Sequence, residues 1–220
     1  MLEVVERVLD FILPRFCPLC GKRVRFWSIV CDNCLNAFEG PLTGTFSVYQ
    51  PLDGTYHFWW YEDVVEKAVK LYKYADRFSL AKVLAVWLDR TMRYYSLHNL
   101  PVTFVPTTPN AFKERGFDTM KRVSEKLERI GYAVVETLTA RDVPSQAALS
   151  RRERLRNVRG KYRTLSETWL PPELVIIDDV YTTGATLEEC ARVLKSQGVK
   201  HVIGVTVARV KKDQISKKTM

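Results

Sequence analysis

The sequence predicts an α/β fold: a mostly parallel sheet with helices on both faces, preceded by a small four-cysteine module. Three observations carry that prediction. From residue 101 onward, short apolar strands alternate with amphipathic helices of about a dozen residues, the rhythm of right-handed βαβ units. The stretch VIIDDVYTTGATL, residues 175–187, ends an apolar run on two adjacent carboxylates and follows them with a threonine-glycine loop. Cys17, Cys20, Cys31 and Cys34 form two CxxC turns ten residues apart, while Cys190 stands alone.

The elements follow in order. VERVLDFILP has apolar residues at 5, 8, 9, 12 and 13, a short amphipathic helix ended by Pro14. After the cysteine turns, TFSVYQPLDGTYHFWWY places aromatic and β-branched residues on both sides of Asp53-Gly54, a hairpin signature. Its aromatic run suits hydrophobic glue between the cysteine module and the main domain more than a base-stacking platform. EDVVEKAVKLYKYA and FSLAKVLAVWLDRTMRYY are helices with apolar stripes at 64, 65, 68, 71 and at 80, 81, 84, 88. Lys70, Lys73 and Arg77 fall on the remaining surface, as an ordinary solvated helix face or as cations facing a phosphate-bearing ligand. PVTFVP is a strand, DTMKRVSEKLERIG a helix closed by Gly131, and YAVVETL a second strand. ELVIIDD, TLEECARVLKSQG and HVIGVTVARV complete the series, with Cys190 packed on its helix's apolar face. The predicted division is a helix and cysteine knuckle over 1–44, a main domain over 45–210, and a polar basic tail over 211–220.

A chain of 220 residues that is 46% hydrophobic can bury a sizeable core. Arg7, Asp10 and Arg15 interrupt the only apolar N-terminal stretch, so no membrane span is expected; with no secretory cleavage pattern, the expected location is the cytoplasm. In a reducing compartment, paired CxxC turns converge four thiolates on one tetrahedral ion, and structural zinc is the natural reading. The net charge of +9 favours polyanionic partners. It is concentrated between residues 140 and 163, where Arg141, Arg151, Arg152, Arg154, Arg156, Arg159, Lys161 and Arg163 face only Asp142 and Glu153. Lys22, Arg23 and Arg25 alternate with aromatic residues in the cysteine module. Together these favour salt-dependent contact with nucleic-acid phosphates, the alternatives being a solvated basic loop or one that serves pyrophosphate alone.

In YTTGAT, Gly184 permits positive φ, and Thr182, Thr183 and Thr186 offer hydroxyls where the next helix begins. Successive N–H groups and the helix N-terminus then make a monophosphate cradle. Asp178 and Asp179, acceptors when ionised, suit a pair of neighbouring hydroxyls. Cradle and diol-binding acids together describe a 5-phosphoribosyl group. Neither a P-loop nor GxGxxG is present.

VIIDDVYTTGAT resembles the phosphoribosyl pyrophosphate (PRPP) signature of type I phosphoribosyltransferases. More narrowly, the CPLC and CDNC turns, KLYKYADRFSLAKVLA, VPTTPNAFKERGF, RDVPSQAALSRRERLRNVRGKY and the signature occur in the order of the ComF family of competence-associated proteins. The resemblance implies a zinc knuckle on a type I phosphoribosyltransferase-like domain, with a part in DNA uptake, natural transformation and the handling of incoming single strands. It implies that Asp178 and Asp179 hold ribose hydroxyls, with Thr182, Thr183, Gly184, Ala185 and Thr186 around the 5-phosphate. Thr107 and Thr108 would sit at the pyrophosphate loop, and Mg2+ would accompany PRPP. Arg141–Tyr162 would be the mobile loop, with Gln146, Arg154 and Asn157 matching the family pattern. Arg151, Arg152, Arg156, Arg159, Lys22, Arg23 and Arg25 are the expected DNA contacts, and competence proteins the expected protein partners. The family commonly follows RGF with Asn-Gln, where this chain has Asp118 and Thr119. Phosphoribosyl transfer is left open, with nucleobase salvage as the alternative function.

Overall fold

The computed structural model describes residues 12–13, 15–36, 51–142, 158–166 and 168–211. Along the chain these form β1 (Arg15–Phe16), β2 (Arg23–Val24), α1 (Asp32–Leu35), β3 (Gly54–Trp60), α2 (Asp63–Tyr74), α3 (Leu80–Tyr94), β4 (Val102–Phe104), α4 (Pro109–Arg115), α5 (Thr119–Glu128), β5 (Leu138–Ala140), β6 (Tyr162–Thr164), β7 (Glu173–Tyr181), α6 (Ala185–Ser196) and β8 (His201–Arg209).

The main sheet has the order β3-β8-β7-β4, all neighbours parallel. Its inner strands are apolar on both sides because both faces are covered. Strand alternation sends Val175 and Ile177 of β7, with Val205 and Val207 of β8, into a core formed with α2, α3 and α5. Leu174, Ile176 and Val202 face the other way, against Leu187, Cys190, Ala191 and Leu194 of α6. Burying each such aliphatic side chain contributes about 1.5–3 kcal/mol. Cys190 is fully buried there, as its helical spacing predicts.

The cysteine module is fused to the larger core. Cys17, Leu19, Val24, Val30 and Cys34 share a cluster with Trp59 of β3 and Trp87 of α3. Polar ties accompany the packing: the indole of Trp87 and the guanidinium of Arg90 donate to the Leu35 carbonyl at 3.2 and 2.8 Å, and Lys67 Nζ donates to the Leu19 carbonyl at 2.6 Å. The aromatic run of β3 is therefore mortar between module and domain, as expected.

Three local expectations change. Asp53-Gly54 leads into a parallel strand: β3 pairs with β8, and Asp53 is tied to β8 through the Val202 amide. The other half of the expected hairpin, like the helix expected over VERVLDFILP, lies largely outside the described residues. YAVVETL is no full strand. Val134 makes one parallel bridge to Val102, and the chain then turns at Thr137, whose hydroxyl meets that of Thr103 at 2.7 Å, to pair as β5 with β6. Finally, β7 runs past Asp178 and Asp179 to Tyr181, so both carboxylates belong to the ladder itself.

Candidate functional site

Because Asp178 and Asp179 are consecutive in an extended strand, their side chains leave on opposite faces of β7. That separation lets the fold carry two adjacent acids at the carboxyl edge of a buried sheet. Asp179, itself buried, meets Lys73 Nζ of α2 at 2.5 Å. Burial lowers the Lys73 pKa, but the neighbouring charges of Asp179 and Asp178 outweigh it and leave the ammonium more firmly protonated than a free lysine. Asp178 is half-buried and accepts the Asp179 amide at 2.9 Å. Desolvation first, and the charge of Asp179 second, push its carboxyl up to about 7, against the opposing pull of Lys73.

These acids open on a cleft of about 270 Å³ at the carboxyl ends of β4 and β7, where open α/β sheets bind ligands. Thr107 and Thr108, Thr186, Arg115, Lys161 and Tyr162 complete its walls. Thr108 caps α4, its hydroxyl accepting from the Ala111 amide at 3.4 Å, and Pro109 follows at the first helical position. Arg115 ends that helix with its guanidinium 5.4 Å from the Tyr74 ring centre, and its Nε is buried without a hydrogen-bond partner among the described residues. The cleft thus combines acceptors for hydroxyls with three cations for an anion.

The loop after β7 is shaped by Gly184, which has φ +85° and begins α6. A Cβ there would lie 2.4 Å from the Tyr181 hydroxyl, so both conformation and contact require glycine. No side chain caps α6; Thr183 Oγ1 accepts from Ala185 N at 3.4 Å, within the turn. Of the predicted cradle, Thr186 reaches the cleft wall. Thr182 is exposed, and Thr183, Gly184 and Ala185 are buried in the turn.

The loop from Arg141 to Tyr162 is anchored at both ends. Ala140 pairs with Tyr162, the Arg141 amide donates to the Lys161 carbonyl, and Arg141 Nε donates to the Gly160 carbonyl at 2.6 Å. Buried Glu189 of α6 accepts the Gly160 amide at 2.7 Å and pairs with Arg192. Asp142 accepts from the Asn110 amide at 3.1 Å, tying the outgoing strand to α4. Arg141 therefore acts as a clasp, and Arg159 is exposed. Gln146, Arg151, Arg152, Arg154, Arg156 and Asn157 lie outside the described residues.

The four cysteine sulfurs of the module lie within 4.8 Å of one another. Sulfurs at about 2.3 Å from a tetrahedral ion sit about 3.8 Å apart, and Cys20 and Cys31 are 3.5 Å apart as free thiols. Gly21, at φ +76°, turns the first knuckle, and Cys31 Sγ accepts the Cys34 amide at 3.4 Å. Hydrogen bonding from the Lys22 backbone pulls the exposed Cys20 thiol down to about 7, while burial pushes Cys34 up. The set fits a closed four-thiolate metal site. Beside it Lys22, Arg23, Arg25 and Trp27 are exposed, Trp27 by 70%, with Phe26 edge-on to that indole.

Sequence reasoning assigned no cleft role to Arg115 and gave Lys73 only as one of three cations on a helix face that is ordinarily solvated. Lys73 follows the last buried position of its helix, Tyr72, so helical spacing alone assigns it to solvent; its 18% side-chain exposure contradicts that assignment. Lys70, paired with Glu66, and Arg77 do remain at the surface. Arg115 could have been found from the cap signals of TPNAFKERG, a Thr-Pro start and a Gly116 stop at φ +76°, which define a helix ending on that arginine.

Fold and site together define a parallel α/β protein that carries a mixed-charge cleft at the carboxyl ends of its strands and a four-cysteine module. No protein-family model matches the chain. It is 28% identical over 149 residues to the competence protein ComFC of Streptococcus pneumoniae, covering 68% of this chain and 65% of that protein, just under two thirds of its length. It is 24% identical over 198 residues to competence protein F of Haemophilus influenzae, covering 85% and 81%. The chain is thus a relative of ComF-type competence proteins, as its motifs imply. Orotate phosphoribosyltransferase from Aeropyrum pernix superposes with a TM-score of 0.37 at 13% identity, over 68% of this chain and 80% of that one. No helix of the described residues is long and apolar enough to cross a membrane.

Proposed function

We propose that the cleft binds a phosphoribosyl ligand, PRPP with Mg2+ foremost, and that the chain couples this binding to single-stranded DNA during DNA uptake. The observation that carries the reading is the convergence of Asp178 and Asp179 with Lys73, Arg115, Lys161, Thr107 and Thr186 in one cleft. Asp178 and Asp179 accept the ribose 2- and 3-hydroxyls. Thr182, Thr183, Gly184, Ala185 and Thr186 surround the 5-phosphate at the uncapped start of α6. Thr107 and Thr108 face the diphosphate, where Mg2+ arrives with its oxygen ligands and offsets part of the charge. Lys161 and Arg115 are placed to stabilise that anion, which is also what departure of pyrophosphate would require.

The DNA half of the proposal rests on charge. Eight cations against two carboxylates between residues 140 and 163 favour several phosphate contacts, and Lys22, Arg23 and Arg25 extend the basic surface next to exposed Trp27. Zinc is the proposed metal of Cys17, Cys20, Cys31 and Cys34, and competence proteins in the cytoplasm are the proposed partners. The test is calorimetric titration of PRPP and Mg2+ with and without an oligo-dT strand. PRPP binding that shifts when the strand is bound supports the coupled function. Binding indifferent to the strand favours a metabolic phosphoribosyltransferase, such as one for nucleobase salvage, and absence of PRPP binding overturns the reading of the cleft.

A further inference from the structure

Thr107 forms the wall of the cleft at the end of β4, and its amide and its hydroxyl are already engaged, by Asp118 and by the neighbouring lining residue Thr119. Asp118 Oδ2 accepts the Thr107 amide at 2.8 Å, while Oδ1 accepts the Lys121 amide at 3.0 Å and so caps α5. The Thr107 hydroxyl accepts from the Thr119 amide at 3.2 Å. An anion arriving at this wall therefore finds the amide it would use already donated, and donated to a negative charge. Asp118 is also near enough to the cleft residue Tyr162 to act on it weakly. The Tyr162 hydroxyl is raised chiefly by burial, then by Cys190 and Asp178, and Asp118 adds to the same effect. The lining itself sets Asp178 and Asp179 against Lys73, Arg115 and Lys161, and Asp118, bonded to the lining residue Thr107, adds a third carboxylate close by.

We propose that Asp118 is a specificity-determining residue that weakens the cleft's hold on a diphosphate at the Thr107 wall while leaving its hold on a singly phosphorylated ribose. The inference rests on the phosphoribosyl reading above and names the residue that grades ligands within it. A like charge held several ångströms from the diphosphate in a partly solvated cleft costs roughly five- to tenfold in affinity. A ribose 5-phosphate, whose phosphate belongs at the start of α6, does not meet that charge. The substitution that isolates the effect is Asp118→Asn. Asparagine still caps a helix through its oxygen, but it puts an NH2 donor where the second carboxylate oxygen stood, so the charge goes and one amide loses its acceptor. Asp118→Ser caps α5 with a neutral, shorter side chain and gives a second route to the same change.

The experiment is titration of the full chain and both variants with PRPP and with ribose 5-phosphate at one fixed Mg2+ concentration, with thermal denaturation of each protein as the folding control. Both variants are expected to bind PRPP about five- to tenfold more tightly and ribose 5-phosphate within twofold of the parent. Unchanged or weaker PRPP binding by folded variants overturns the assignment, as does equal tightening of both ligands. If the parent binds ribose 5-phosphate but the PRPP affinities do not separate, Asp118 alone loses its role. If no protein binds either ligand, the phosphoribosyl reading fails and takes this inference with it.

Discussion

Replacing Lys73 with methionine isolates the ion pair on which the cleft is built. The two side chains are 18% and 10% exposed and meet at 2.5 Å, so the substitution leaves Asp179 charged and nearly dry. Removing one partner of a buried pair costs about 3–5 kcal/mol, and because both side chains border an open cleft the lower figure, about 3 kcal/mol, applies. In a chain of 220 residues each kcal/mol moves the melting midpoint by about 2–4 °C. Lys73→Met should therefore melt about 6–12 °C below the parent by calorimetry. Adding Asp179→Asn removes the orphaned charge and should recover most of the loss, giving a coupling energy above 1 kcal/mol in a double-mutant cycle. The folded pKa of Lys73 is raised, so the stabilisation is complete at neutral pH and disappears only as pH rises beyond the ordinary lysine range. A loss below about 1 kcal/mol, or no recovery in the double variant, would refute the claim that the pair is buried and interdependent.

Three further outcomes are expected. The Asp178 carboxyl has its pKa raised to about 7 in the folded chain, so the native state binds the extra proton and unliganded stability falls as pH rises from about 4 through 7. Asp178→Asn should flatten that slope in denaturant titrations and stabilise the protein more at pH 8 than at pH 5. Gly184→Ala meets both a positive φ and the Tyr181 ring, and should cost at least 1–2 kcal/mol in chemical unfolding, more than an alanine scan of the exposed α6 surface. Stripping metal from the four cysteines should loosen a module that shares its core with Trp59 and Trp87. The assay is a red shift of tryptophan fluorescence on chelation, reversed by adding zinc; unaltered emission from protein shown by elemental analysis to have lost its metal would contradict the shared core.

Much of this molecule is legible in its sequence because strand alternation and helical spacing are local. ELVIIDD and HVIGVTVARV read as strands of a parallel sheet covered on both faces because their centres, LVII and VIGV, are apolar without alternation, and they form the inner strands β7 and β8. The four-cysteine cluster followed from spacing alone. What escaped was set by partners distant in sequence. Asp53-Gly54 has good hairpin chemistry, yet the Val202 amide and Lys195, more than 140 residues away, hold Asp53 at the head of a parallel strand. YAVVETL has strand composition, but it meets β4 at one bridge before Thr137 diverts the chain. Spacing could not single out Lys73 from Lys70 and Arg77 because it reports only their own helix, and the carboxylate that claims Lys73 sits on β7. The clustering of Asp118 with Thr107 was likewise invisible, although eleven residues separate them, because it depends on where α4 ends and α5 begins.

The clasp formed by β5 and β6 bears on how such a chain can change over time. With Ala140 opposite Tyr162 and Gly160 fastened to Glu189, the excursion between them leaves and re-enters the fold at one fixed spot. Closing a longer excursion across a fixed gap costs only about 0.6 kcal/mol per doubling of its length. The two ends of the segment are held at a separation set by β5, β6 and α6, whatever its length. A change of length between these anchors is therefore cheap for the sheet, whereas the side chains there that match the family pattern, Gln146, Arg154 and Asn157, are expected to be kept for what they bind.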